Sequence, residues 1–301
     1  MMRFFKHLSL LLVLNLIVGA AWAQTSATEK IRVIAIFAHP DDADSKMAGT
    51  AALLAEMGVA VKFLSLTNGD AGHYEQGGGI LATRRRLEAK LAAEQYGIDE
   101  YVVLDNHDGE LLPDLNVRLQ VIREIRKWNA DVVIGLRPND YHPDHRNAGK
   151  LVEDASYMVA VPNIASDVPA LKKNPVFLYM QDKFKKPNPF SHDIVVAIDA
   201  VIEKKLNGLD KHVSQYYEWL PWINNHGDLS NVPKDTLARK EWLRMQRINL
   251  AIVDEQRNTL EKWYGKAKAS KVKYAESFEI TEYGSQPSEE EIRKLFPMLR
   301  D

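Results

Sequence analysis

The chain has 301 residues, 27% of them charged, with a formal net charge of −2 and no cysteine. Interspersed charges that nearly cancel argue against nucleic acid or an anionic membrane surface as the main partner. The missing thiols exclude disulfides, lipoprotein modification and thiolate catalysis, so any metal must be held by His, Asp and Glu.

The first segment reads as a secretory signal. Arg3 and Lys6 precede a leucine-rich stretch from Leu8 to Val18, and Ala21-Trp22-Ala23 supplies the small residues that precede a cleavage point. The stretch is shorter than the roughly 20 apolar residues of a spanning helix, so no stable membrane insertion is expected after cleavage. Residues 24–301 are then an exported chain, periplasmic or secreted, that forms one catalytic domain.

From Ile31 the chain alternates short β-branched runs with longer segments of helical period, the pattern of a mostly parallel sheet covered on both faces. The expected fold class is therefore α/β and Rossmann-like, with the core over about 30–185. Strands are predicted at Ile31–Ala38, Val59–Thr67, Tyr101–Leu104, Asp131–Arg137 and Val176–Met180, and helices near 44–57, 81–96, 115–128 and 145–160. Beyond Asp182 come Pro-rich turns and long amphipathic segments bearing Trp219, Trp222, Trp242 and Trp263, read as a helical cap over about 186–301. Tyr274–Glu282 alternates like a late strand, expected at a sheet edge. No internal repeat breaks the chain.

Ligands of such sheets sit outside the carboxyl ends of the strands, and the unusual residues lie there. After the first strand stands His39-Pro40-Asp41-Asp42-Ala43-Asp44, and after the fourth Asp140-Tyr141-His142-Pro143-Asp144-His145. Neighbouring strands run only ~4.8 Å apart, so the two turns can meet despite the long stretch of chain between them. Hydrolytic zinc sites take three protein ligands and leave one position open, and His39, Asp42 and His145 would form such a His₂/carboxylate set.

These two turns resemble the signature of the PIG-L/LmbE family of zinc-dependent N-acetylglucosaminyl deacetylases. The resemblance runs from about Ile31 to Ala160, and more weakly to about His212. It implies that His39, Asp42 and His145 bind Zn²⁺ and that Asp41 takes a proton from the reacting water. It further implies that His142 stabilises the oxyanion or protonates the leaving amine, that Asp144 holds the ring of His142, and that Arg85 contacts the substrate. Other divalent metals suit the same donors. The implied substrate is a small or oligomeric N-acyl amino sugar. Where many family members have Glu and Gly, this chain has Ala43 and Lys46; Lys46 faces solvent or brings a cation near the site.

The loop Thr67–Gly79, with Gly77-Gly78-Gly79, reads as a cover that could close over substrate. His212 reads either as a site contact or as a satisfied buried histidine, and Tyr216, Tyr217, Trp219 and Trp222 as sugar-stacking or helix-packing aromatics. Alternative readings are a zinc hydrolase of another amide or ester, shown by turnover of non-sugar acyl substrates alone, and a carbohydrate-binding protein with a vestigial site, shown by zinc binding without turnover. A dinucleotide-dependent enzyme is disfavoured, because the first βα turn lacks the Gly-x-Gly-x-x-Gly pattern. If the leader is a cleaved signal, N-terminal sequencing of exported protein finds Gln24 first. Recovery of Met1 there would instead make the segment an anchor.

Overall fold

In the computed structural model, β1 (Arg32–Phe37) is buried along nearly its whole length, as is β2 (Ala60–Thr67). Strands without a solvated face belong at the centre of a parallel sheet, and these two pair in parallel from Arg32↔Ala60 to Phe37↔Ser65. The structure describes residues 30–248 and 252–299. The expected signal segment lies outside the described residues. Among them no helix is long and apolar enough to cross a membrane.

The order along the chain begins β1, α1 (Asp42–Glu56), β2, α2 (Gly78–Tyr96), β3 (Glu100–Asn106), α3 (Leu115–Trp128), β4 (Val132–Gly135), α4 (Pro143–Met158) and β5 (Val176–Met180). It continues through β6 (Ile194–Ala197), α5 (Ile202–Leu209), a π-helical turn at Ser214–Trp219, α6 (Leu220–Asn224), α7 (Thr236–Arg247), α8 (Asp254–Tyr264), α9 (Lys266–Ala269), β7 (Ala275–Gly284) and α10 (Glu289–Leu295). The seven-stranded sheet has the order β3-β2-β1-β4-β5-β7-β6. Helices α1, α2 and α5 pack together, while α3 packs with α4; right-handed crossovers put these two groups on opposite faces of the sheet. The mostly parallel α/β fold expected from the sequence is thus observed.

Two details differ. Strand β7 is not an edge: it runs antiparallel between β5 and β6, pairing Met180↔Phe278 on one side and Val196↔Glu276 on the other. Strand β6 interrupts the segment read as a helical cap. Its four residues follow a Pro-rich turn, too short a run to show a period.

Local signals explain the helices that matter for the site. Asp114 accepts a hydrogen bond from the Val117 amide at 2.9 Å and starts α3, which buries Val117, Val121, Ile122 and Ile125. Helix α4 has Pro143 in its first turn, where the missing N–H costs nothing. It also passes so close to the end of β4 that a Cβ on Gly149 would lie 2.6 Å from the Leu136 carbonyl oxygen. The obstacle is backbone and cannot rotate away. Gly149→Ala should therefore cost about 1–3 kcal/mol, the usual scale of overpacking. A urea midpoint unchanged from wild type would show that α4 slides freely on the sheet.

Candidate metal and catalytic site

β1 pairs with β2 on one side and with β4 on the other, and the chain leaves in opposite directions from this point. That crevice is where such sheets bind ligands. The Ala38 carbonyl that opens the first turn is pinned by the Thr67 amide and by the hydroxyls of Ser65 and Thr67, at 2.9, 3.0 and 2.9 Å. His39 and the start of α1 follow from this fixed point.

His39 Nδ1 and His145 Nε2 stand 3.2 Å apart, His145 Nε2 is 3.3 Å from Asp42 Oδ1, and His39 Nδ1 is 3.7 Å from Asp42 Oδ2. Four-coordinate bonds of ~2.0–2.1 Å place neighbouring ligand atoms about 3.3–3.4 Å apart. The donor set and its spacing therefore fit one small divalent cation, and all three residues predicted as ligands converge. His142 joins them, its ligand atom within 4.8 Å of those of His39 and His145.

The outward nitrogens are equally constrained. His39 Nε2 is 3.0 Å from Asp108 Oδ1 and 3.2 Å from Asp144 Oδ2, and His145 Nδ1 is 3.0 Å from Asp140 Oδ1. Asp144 in turn accepts hydrogen bonds from the Gly109 and Leu111 amides, and Asp140 from the His142 amide. Carboxylates behind ligating imidazoles set the ring's tautomer and raise its basicity. The sequence assigns Asp108 and Asp140 no role: Asp108 looks like any turn residue, and Asp140 stands in the second His/Asp turn with nothing local to mark it as a partner of His145.

The expectation that Asp144 holds the ring of His142 is corrected: its carboxylate supports His39. The link to His142 is the Asp144 backbone amide, which donates to His142 Nδ1 at 3.2 Å. Nδ1 is thereby the acceptor nitrogen, so neutral His142 carries its proton on Nε2. Burial and the neighbouring His39 and His145 hold its pKa below the ordinary value, which favours the neutral form.

Arg85, expected as a substrate contact, is buried on protein partners. It is only 2% exposed and does not reach into solvent for a substrate. Its Nη2 donates to Asp41 Oδ1 at 3.1 Å, and Nη1 donates to the Gly69 carbonyl at 3.2 Å and stands 3.5 Å from Asp108 Oδ2. The approach is close enough that a Cβ on Gly69, itself at φ +70°, would sit 2.5 Å from Nη1. The flanking arginines bind carboxylates, Arg84 to Glu218 and Arg86 to Asp105.

Adjacent Asp41 and Asp42 are driven apart electrostatically. Burial raises Asp41, and Arg85 only partly offsets that rise. Burial also works against the charge of Asp42, but His145 and the His39 amide outweigh it and hold the group well below the usual carboxylate range. Such divergence separates a proton acceptor from a committed anion.

Around this centre, the loop after β2 is tied down. Gln215 Nε2 donates to the Gly72 carbonyl at 3.1 Å, His73 pairs with Glu218 at 2.8 Å, and Tyr74 stacks on Trp222, which stacks on Trp219. The Trp219 indole nitrogen and Asp108 Oδ2 both lie within 4 Å of a Cβ built on Gly72. Tyr216 and Tyr217 are buried, whereas Trp219 and Trp222 are half-buried beside the site. His212 is wholly buried, 2.9 Å from Asp44, which also accepts from the Tyr101 hydroxyl. Lys46 donates to the Gln181 carbonyl at 3.0 Å and its charge acts on Asp140.

Two imidazole nitrogens 3.2 Å apart cannot both carry a proton, and carboxylates raise the basicity of both rings. A cation entering between them must compete with protons. Zinc binding should therefore release about one proton between pH 6 and 8 and tighten as pH rises. Asp144→Asn should weaken it about 10–100-fold. Calorimetry in buffers of different ionisation enthalpy reads both effects, and zinc uptake without proton release would rule out this ligand set.

A family model described as PIG-L, GlcNAc-PI de-N-acetylase, matches residues 34–156. Diacetylchitobiose deacetylase of Thermococcus kodakarensis is 35% identical over 208 residues, 64% of this chain and 74% of that protein. A probable N-acetyl-alpha-D-glucosaminyl L-malate deacetylase 2 of Bacillus cereus is 28% identical over 224 residues, 71% of this chain and 95% of that protein. Among solved structures, N,N'-diacetylchitobiose deacetylase from Pyrococcus horikoshii superposes with a TM-score of 0.61 at 25% identity, covering 86% of each chain. With both His/Asp turns converging inside the matched segment and a relative of this identity and coverage, the chain belongs to the PIG-L family of de-N-acetylases.

Proposed function

We propose that this protein is a zinc-dependent hydrolase that removes an N-acetyl group from an amino sugar or its glycoconjugate outside the cytoplasm. The observation that carries the reading is the convergence of His39, Asp42 and His145 at the spacing of ligands to one cation, with Asp41 beside them and fixed by Arg85. The named activities of the relatives, on diacetylchitobiose and on an N-acetylglucosaminyl malate, support the amino-sugar substrate. The basic and leucine-rich leader with its Ala-Trp-Ala site supports export.

His39, Asp42 and His145 would hold the cation, which when bound would supply Lewis acidity for activating a water and polarising an acyl carbonyl. Asp41, more basic than an ordinary carboxylate and fixed by Arg85, takes the proton of the attacking water. The same carboxyl group can return that proton to the departing sugar nitrogen. His142 presents its Nε2–H to the developing oxyanion. As a neutral donor it stabilises charge without competing for the proton. The sequence leaves His142 between two roles, and the Asp144 amide on its Nδ1 favours the oxyanion role. Half-buried Trp219 beside Gly72 offers an aromatic surface to the sugar ring.

Paired substitutions test these assignments. Asp42→Ala and His145→Ala should lose most zinc together with activity. Asp41→Asn should keep zinc and fold but lose about 10²-fold or more in turnover, the scale of general-base removal. Elemental analysis beside acetate release from N-acetylated sugars separates the two classes. Loss of zinc in Asp41→Asn with retention in Asp42→Ala would reverse the roles, and full activity of metal-free protein would end the mechanism.

A further inference from the structure

The three imidazoles of the site form a triangle, with ring centroids 4.6 Å apart for His39 and His142 and 5.1 Å apart for each of the other two pairs. Its sides differ. Behind His39 the polar groups follow one another: Asp108 stands 3.0 Å from its Nε2, Arg85 Nη1 3.5 Å from Asp108, and Asp41 3.1 Å from Arg85 Nη2. Trp219 belongs to this side, because its indole nitrogen and Arg85 Nη1 lie 3.6 and 3.3 Å from one point, a Cβ built on Gly72. Beside His142 and His145 lies a different surface, the ring of Tyr141. Its centroid is 5.8 Å from that of His142 and 5.6 Å from that of His145, edge-on to both.

Tyr141 is 73% exposed. A single exposed aromatic is ordinary, and Tyr157, just as exposed, sits at the opposite end of α4. Tyr141 differs in where it stands and in how firmly it is held. The Asp140 carboxylate before it accepts from the His142 amide and pairs with His145 Nδ1, both at 3.0 Å. Arg146 Nη1 donates to the carbonyls of Asp140 and Tyr141 at 2.7 and 3.0 Å. A side chain on so fixed a backbone stays at the imidazoles while most of its ring remains uncovered. Uncovered aromatic surface beside a reacting centre is stabilised when an apolar group of the ligand covers it.

The roles of Asp41 and His142 decide which group that is. During hydrolysis the acyl carbon carries its carbonyl oxygen, the incoming water oxygen, the sugar nitrogen and the acyl tail. Asp41 serves the water and the nitrogen and His142 serves the carbonyl oxygen, so the tail points away from Asp41, to the side of Tyr141. We propose that Tyr141 forms the acyl subsite, and that the enzyme removes straight-chain acyl groups longer than acetyl as well as acetyl itself. The proposal rests on the deacetylase reading and deepens it by naming the acyl half of the substrate. The bond changes are the same for every chain length: the water oxygen joins the acyl carbon, the C–N bond breaks, a water proton passes through Asp41 to the nitrogen, and the acyl group leaves as a carboxylic acid. With most of the ring open to solvent, a chain extends along it, and each added methylene covers more of it.

The test gives N-acetyl-, N-butyryl- and N-hexanoylglucosamine to the zinc-loaded protein and to its Tyr141→Phe and Tyr141→Ala variants. The free amine is the product common to all three sugars, and its release gives kcat/KM for each. The unaltered protein should use the hexanoyl sugar at least as well as the acetyl sugar. The hexanoyl-to-acetyl ratio should fall about 10-fold in Tyr141→Ala, the scale of about two buried methylenes, and should be kept in Tyr141→Phe, which retains the ring. Because the ratio is taken within each protein, a general loss of activity or of zinc does not imitate the effect. A ratio unchanged in Tyr141→Ala overturns the proposal, and a ratio that rises there makes the ring a barrier to long chains and overturns it too. Equal losses in Tyr141→Phe and Tyr141→Ala would assign the effect to the hydroxyl and not to the ring, against the proposal. Release from the acetyl sugar alone by the unaltered protein refutes the acyl subsite and leaves the deacetylase reading standing. Release from none of the three refutes that reading, and the proposal falls with it.

Discussion

Everything at the candidate site depends on β1 and β4 lying side by side in parallel, with Val33 opposite Val132 and Ala35 opposite Ile134. Both strands are buried and rich in apolar side chains, so their pairing is enforced by the core rather than by the site. Each strand end then delivers a turn whose first helical residues are polar and crowded. The sheet supplies the convergence, and the two turns supply the chemistry. Helix α4 is drawn so near the β4 end that only glycine fits at position 149.

That convergence carries an electrostatic cost. Five aspartates, Asp41, Asp42, Asp108, Asp140 and Asp144, gather near His39, His142 and His145 with little solvent exposure, and buried charges must be paired or shift their pKa. The chain resolves this in three ways. Asp42 is committed to the imidazoles, Asp108 is held near a pKa of about 2 by His39 and Arg85 against its burial, and Asp41 is left raised. Arg85 is the counter-charge that lets Asp41 and Asp108 stand together. Its burial under the Gly69 turn is better suited to that task than to exploring solvent.

A second buried ion pair steadies the helix that carries the aspartates. The Glu276 carboxylate accepts from the amides of Gly49 and Thr50 at 3.0 and 2.6 Å, while Lys205 bonds Glu276 at 2.7 Å and the Ser45 carbonyl at 2.8 Å. Glu276 belongs to β7 and Lys205 to α5, the helix that follows β6, so the late strand inserted between β5 and β6 and this earlier helix together grip the middle of α1. This is why the C-terminal third of the chain belongs to the same core as the two His/Asp turns. The π-helical turn plays a similar part for the loop after β2, reaching Gly72 through Gln215 and His73 through Glu218.

The sequence by itself determined the α/β class, the main strands and helices, and the two His/Asp turns that carry His39, Asp42 and His145. These are local facts: periodicity reports which faces are buried, and a His-Pro-Asp-Asp turn is legible wherever it stands. Tertiary structure alone decided what each polar residue faces. Asp108 and Asp140 look like ordinary turn residues until the fold sets them behind His39 and His145. Arg85 and Arg84 are neighbours in one arginine run, yet one lies under Asp41 and the other grips Glu218. Asp144 shares a motif with His142 but gives its carboxylate to His39, 105 residues away, because the side chain at the start of α4 points across the crevice rather than along its own turn. Partners so distant in sequence leave no periodic trace, since strand pairing and burial choose them after the local elements have formed.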